Sequence, residues 1–238
     1  MAILLEVSGN GWKNLAAHGE LEGWQASCSA ERFPRARYSV AVVARGEAEM
    51  TKHLVKPPPF NGRAGIYRER AQVVRIRFDQ RSVTVGGFHM PNSVVDGGRD
   101  HSYKERCYRD LVDWIGRHQK HRLILGMDTN RGDWLHSTSR IKGHSVVAQT
   151  FVRAPEVYGL NDAYLRVHDL DGPDGQPMPT KPETWTSPDR KARGYCYDRI
   201  YVSQRVSACE AQIHTDAVDR HGDGLSDHAP VTATLDLK

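Results

Sequence analysis

The chain has 238 residues, of which 39% are hydrophobic and 26% charged, with a formal net charge of +4. These proportions fit one globular domain spanning 1–238 with enough apolar material for a sizeable core, and they exclude a disordered chain and a coiled coil. The positive excess gathers in RFPRAR (32–37), YRERAQVVRIRF (67–78) and DRKARG (189–194). Such stretches suit a polyanion such as nucleic acid, although solvated surface arginines give the same pattern.

The first predicted element is the opening run MAILLEV (1–7), an apolar strand that ends on a carboxylate, Glu6. It is too short to span a membrane and lacks the basic leader and cleavage site of a signal peptide, so a soluble, cytoplasmic protein is expected. A weak helix is predicted over Asn14 to Glu20. Strands follow at YSVAVVA (38–44), AQVVRIRF (71–78) and SVTVGGF (82–88), each a short β-branched run bounded by turn residues or charge. In DHSYKERCYRDLVDWIGRHQ (100–119), Tyr103, Cys107, Leu111, Trp114 and Ile115 recur at three-to-four spacing, which predicts an amphipathic helix. HRLILGM (121–127), DRIYVS (198–203) and APVTATLDL (229–237) are the later strands. KPPPFNGRAG (56–65) and DLDGPDGQPMPTKP (169–182) are surface loops, because their Pro and Gly content permits neither regular structure.

Cys28, Cys107, Cys196 and Cys209 are widely spaced with no CxxC pair. That argues against a zinc site or a disulfide framework and for reduced thiols in the cytosol. Strands with a helix between them fit layered sheets covered by helices.

Chemistry-bearing residues collect at the strand boundaries. GGFHMPN carries His89 and Asn92, LILGMDTNRGDW carries Asp128, Asn130 and Arg131, YCYDRIYVS carries Tyr197 and Asp198, and LSDHAPV carries Asp227 and His228. Taken singly, Asp-x-Asn is a good turn former and Ser-Asp-His a polar turn before a strand. Their joint occurrence, each at a strand boundary, points instead to a site on a rigid scaffold.

In these blocks the chain resembles the endonuclease/exonuclease/phosphatase superfamily. LILGMDTN is similar to its Gly-Asp-x-Asn block, ETWTSP and YDRIYVS to its Thr-Trp and Asp-bearing blocks, and LSDHAPV to its Ser-Asp-His block. YDRI and GFHMPN look like the deoxyribonuclease I branch. The resemblance implies an α/β (α+β) fold, a four-layer α-β-β-α sandwich of two mainly antiparallel, deoxyribonuclease I-like sheets. It implies a divalent-metal-dependent hydrolase that attacks phosphoesters with water, using Mg²⁺ (or Mn²⁺). Glu6, matching the acid of a strand that ends in Gln-Glu, is then a metal ligand, and Asp227 supports the metal or holds Asn130. His228 is the base or phosphate-contacting imidazole, and Asp198 orients it. Asp128 and Asn130 position water and phosphate, and His89 contacts a phosphate oxygen or assists the leaving group. Asn92, Arg131, Tyr197 and Trp185 are the candidate substrate-binding residues.

The sequence departs from the family pattern in three ways. Met127 stands where the Gly-Asp-x-Asn block has its Gly, Leu5 stands where the Gln precedes the acid, and the family's first strand has no counterpart. The last departure predicts a sheet edge beside Ile3 to Leu5 that another segment would have to pair. Nucleic acid is the expected substrate, and no membrane partner is expected. A small phosphorylated molecule or phosphoinositide is the alternative substrate, and a catalytically weakened nucleic-acid-binding protein is the alternative of another class.

Overall fold

The computed structural model describes residues 1–52, 54–60, 68–91, 102–130, 158–168, 197–215 and 228–238. Among these, β1 is Ala2–Val7, β2 Trp24–Cys28, β3 Ser39–Arg45, β4 Glu49–Lys52, β5 Ala71–Phe78 and β6 Arg81–His89. β7 is Leu123–Asp128, β8 Leu160–Asp162, β9 Asp198–Ser203, β10 Val206–Ile213 and β11 Val231–Leu237. The helices are α1 (Gly9–Ala17), α2 (Ser102–His118) and α3 (Ala163–Val167).

The β-branched runs form strands where expected, because a pleated half-buried surface suits them. Four strands lie where no apolar run announced them. β4 (EMTK) and much of β10 (VSACEAQI) are exposed, β8 is three residues long, and only the last two residues of β2 are buried. Such strands are held by pairing to a neighbour rather than by their own burial. Helix α1 begins five residues before the predicted Asn14. Ser8 Oγ accepts from the Gly11 N–H at 3.0 Å and caps it, while Trp12 docks in the core; together these outweigh the cost of two glycines in the first turn, about 1 kcal/mol each.

The largest sheet runs β4-β5-β6-β7-β9-β8, antiparallel except for the β6–β7 pair. On its outer face, Cys107, Tyr108, Leu111, Trp114 and Ile115 of α2 pack against Phe88, Leu125, Met127 and Tyr201. Each fully buried large apolar side chain there contributes roughly 1.5–3 kcal/mol. Its inner face, with Val74, Ile76, Val83, Val85, Ile124 and Val202, meets Val42 and Ala44 of β3 and Ile3 of β1. The far side of β1–β3–β2 is covered by Trp12 and Leu15 of α1, and α3 places Tyr164 against Ile213 and Val231 of the β10–β11 pair.

The layering is therefore the expected α-β-β-α. Among the described residues, however, the second β layer is two hydrogen-bonded sheets, β1-β3-β2 and β10-β11, rather than one. β1 pairs along one side only, with β3, among the described residues, which agrees with an edge beside Ile3 to Leu5. No helix among the described residues is long and apolar enough to cross a membrane.

Candidate active site

Strand register assembles the site. His89 of β6 stands opposite Asp128 of β7, and Asp128 opposite Asp198 of β9. The three occupy one row across the ends of adjacent strands. Side chains alternate faces along a strand, and Val85, Ile124 and Val202 lie on the inner face. His89, two pleats on from Val85, and Asp128, two pleats on from Ile124, therefore point into the same layer, toward β1.

Glu6 reaches this row through a bulge in β1. Ile3 pairs with Val42 and Leu4 with Ala41, but Val7 pairs with Ser39, so Leu5 and Glu6 together oppose one residue. In a regular strand Glu6 would face outward beside Leu4. The extra residue turns it back, and its φ of 56° lies in the left-handed region. Asn130, just past β7, also has a left-handed φ, 47°. Bulges and such backbone are costly, on the order of 1–3 kcal/mol for a non-glycine residue, and persist where surrounding structure enforces them.

His89 Nε2 lies 3.2 Å from Glu6 Oε1 and 3.4 Å from Asp128 Oδ2. Glu6, His89 and Asp128 each offer a ligand atom, all within 4.8 Å of one another. His89 is 2% exposed, and burial, with the Arg70 and His228 charges next, holds its imidazole down at about 3. The Glu6 and Asp128 oxygens therefore stand within 3.4 Å of a neutral imidazole rather than an imidazolium. Burial first, and then the Asp198 charge, pushes the Asp128 carboxyl up to about 7, against the opposing pull of His228 and the Asn130 N–H. Behind this cluster Arg70 stacks over the Tyr38 ring at 4.5 Å, and Tyr38 meets His89 edge-on at 5.4 Å.

Asn130 fixes Asp128 rather than standing apart from it. Its backbone N–H donates to Asp128 Oδ1 at 2.7 Å, and its side-chain amide donates to Asp128 Oδ2 at 2.8 Å and to the Met90 carbonyl at 2.7 Å. The intervening Thr129 is held from both sides. Its N–H and hydroxyl donate to the Tyr197 carbonyl, each at 2.9 Å, and its carbonyl accepts from the Tyr108 hydroxyl of α2.

On the far side of the row, His228 Nδ1 lies 2.7 Å from Asp198 Oδ2. A carboxylate there keeps the proton on Nδ1 and leaves the Nε2 lone pair available. The Tyr197 ring stands 6.4 Å from the His228 ring. Glu6, His89, Asp128, Asn130, Tyr197, Asp198 and His228 are thus gathered from five separate segments. Asp227, Asn92, Arg131 and Trp185 lie outside the described residues.

Sequence reasoning missed Tyr108, Tyr38 and Arg70. Tyr108 could have been found as a hydroxyl beside Cys107 on the buried face of α2. Arg70 reads in the sequence only as part of a basic stretch, yet it is 3% exposed; its position immediately before the apolar strand β5 is the available signal. Tyr108 yields a direct test. Tyr108→Phe keeps the ring but removes its hydrogen bond to the Thr129 carbonyl, and the expected result is a stability loss of about 1 kcal/mol. Chemical denaturation checks it, and an unchanged stability would show that the turn holds itself.

The four layers are those of the deoxyribonuclease I-like fold. Among solved structures, the chain is similar to the 3′ phosphatase NExo from Neisseria bound to a product DNA hairpin, at 20% identity and TM-score 0.65, covering 98% of this chain and 88% of that one. It is similar to an AP endonuclease from Archaeoglobus fulgidus at 17% identity and TM-score 0.69, covering 99% and 88%. It also resembles D. rerio TDP2 complexed with a single-strand DNA product, at 12% identity and TM-score 0.61, covering 98% and 84%. No protein-family model and no curated protein matches the sequence.

Proposed function

We propose that the protein is a divalent-metal-dependent phosphoesterase, a nuclease that hydrolyses phosphodiester bonds of DNA or RNA. The observation that carries this reading is one row of strand ends on which the buried His89 and Asp128, met by the exposed Glu6, stand beside a carboxylate-held imidazole. The structural neighbours are DNA-processing phosphoesterases. Two of them are bound to a DNA product, which favours nucleic acid as the substrate class.

A divalent cation fits the residues present. Glu6 and Asp128 bring carboxylate oxygens together with the imidazole of His89, and the Asp128 carboxyl is displaced upward first by burial and then by the Asp198 charge. Carboxylate oxygens suit Mg²⁺, and an added imidazole nitrogen admits Mn²⁺. Glu6 and Asp128 would hold the ion, with His89 beside them and Asp227 as a further ligand. The chemistry such an ion supplies is charge neutralisation on the phosphoryl and leaving oxygens.

The chain's own groups account for the proton. A water aligned on phosphorus gives a proton to His228 Nε2 as the new O–P bond forms and the bond to the leaving oxygen breaks. Asp198, 2.7 Å from Nδ1, stabilises the resulting imidazolium and keeps the ring aimed. Asn130 holds Asp128 in place by two hydrogen bonds. Tyr197, beside His228, together with Asn92, Arg131 and Trp185, is proposed to contact the substrate. Cys28, Cys107 and Cys209 form no disulfide among the described residues, which fits a reducing, cytoplasmic setting.

The experiment is a substrate panel in Mg²⁺: plasmid DNA, single-stranded DNA, RNA, and phosphorylated small molecules including a phosphoinositide. Cleavage of a nucleic acid is expected. Phosphate release from small molecules alone would replace the nuclease reading with a phosphatase, and DNA binding without hydrolysis of any substrate would replace it with a binding protein.

A further inference from the structure

We infer that Gly87 and Gly126 are positioning residues, a paired flat seat for Ile3 that sets how closely β1 approaches and so whether Glu6 reaches the acid cluster. The two glycines are register partners in the parallel β6–β7 pair, and each is two residues before a site residue, His89 and Asp128. They share the inner face with those residues.

Ile3 fills the space that side chains at these positions would occupy. A Cβ on Gly126 would lie 2.6 Å from Ile3 Cδ1, 3.2 Å from its Cβ and 3.3 Å from its Cγ2. On Gly87 it would lie 2.7 Å from Ile3 Cγ2 and 2.4 Å from Val40 Cγ1. A rotamer change moves Cδ1 but not Cβ, which is rigid with the β1 backbone. Adding a methyl group at 126 therefore pushes the strand itself outward.

Glu6 is three residues beyond Ile3 on the same short strand, so it moves with it. Its contact with His89 is already 3.2 Å, and functional constellations tolerate only about 0.5 Å of misplacement. The sequence places the smallest residue at the two positions where the facing strand must come closest. Glycine interrupts and weakens both apolar runs, a stability cost taken at the two positions that Ile3 packs over.

This inference rests on the proposed metal site, and its test separates the two. Mn²⁺ binding is measured by calorimetry, alongside turnover, on the parent, Gly126→Ala, Ile3→Val, Ile3→Ala and the double variant Gly126→Ala/Ile3→Val. Gly126→Ala is expected to weaken Mn²⁺ binding about 10- to 100-fold, the range seen when support of a metal ligand is lost. The double variant removes Cδ1, the atom 2.6 Å from the added methyl, but keeps the Cβ and Cγ2 at 3.2 and 3.3 Å, so it should recover part of the affinity lost in Gly126→Ala. Ile3→Ala cannot clash and so folds irrespective of Gly126; by emptying the seat it should weaken binding several-fold. Parental binding in Gly126→Ala, no recovery in the double variant, or no effect of Ile3→Ala would overturn the inference alone. A parent that binds no Mn²⁺ would sink the metal reading and this inference with it.

Discussion

On the proposed nuclease reading, replacing His228 by Ala is expected to lower kcat for phosphodiester hydrolysis by about 10²- to 10⁴-fold, the usual contribution of general acid–base catalysis. KM and Mn²⁺ affinity stay within a few-fold, because His228 faces Asp198 at 2.7 Å and stands outside the Glu6–His89–Asp128 cluster. Its side chain is 25% exposed, so its loss costs little stability, within about 1 kcal/mol. The companion change Asp198→Asn keeps the packing but presents an amide to Nδ1. An amide that donates there puts the imidazole proton on Nε2, and turnover should fall by a comparable factor. Unchanged turnover in His228→Ala would move proton transfer to another group and leave the Asp198–His228 pair without a catalytic role.

The second large effect belongs to Asp128. Asp128→Asn removes a buried carboxylate from the centre of the cluster, and kcat should fall about 10³-fold, corresponding to several kcal/mol of lost charge stabilisation. The same variant reports on stability. In the metal-free protein the folded Asp128 keeps its proton up to about 7, whereas its ordinary value is 3.8. Between these limits the folded state binds more protons than the unfolded chain, so the Asp128 contribution falls as pH rises from about 4 to about 7. His89 acts with the opposite sign. Held near 3 instead of 6.5, it makes the folded state bind fewer protons, so its contribution is lost as pH falls below about 6.5. The two largely cancel between about 4 and 6.5, which would hide both in the parent alone. Comparing the parent with Asp128→Asn at each pH isolates the acid. Asp128→Asn should gain stability relative to the parent as pH rises from about 4 to about 7, then level off. Chemical denaturation across that range checks it, and a pH-independent difference would mean that Asp128 ionises normally.

The legibility of the sequence varied with the physics of each element. β5 and β9 could be read to the residue because β-branched runs in a central sheet carry their own burial signal. β4 and β10 could not, since Glu49 and Lys52 in one and Cys209 and Glu210 in the other are exposed and their pairing is decided by distant strands. The acids and imidazoles at strand ends were visible as residue types, and the register of β6, β7 and β9 then put His89, Asp128 and Asp198 in one row. What no periodicity could show is the bulge at Leu5 and Glu6. Alternation alone sends Glu6 away from His89, and only the long-range pairing of Val7 with Ser39 turns it back. Arg70 misleads for the reverse reason, a charged residue in a basic run that nonetheless lies buried over Tyr38. Asn130 was legible as a candidate residue, but its attachment to Asp128, which depends on a left-handed backbone, was not.

The most direct test is one preparation of the protein assayed on plasmid and single-stranded DNA in Mg²⁺, then after chelation with EDTA, then with Mg²⁺ restored, with Glu6→Gln run in parallel. Cleavage that stops with chelator, returns with metal and is lost in Glu6→Gln is the predicted result. Cleavage that persists in EDTA, or a Glu6→Gln variant as active as the parent at low Mg²⁺, would contradict it.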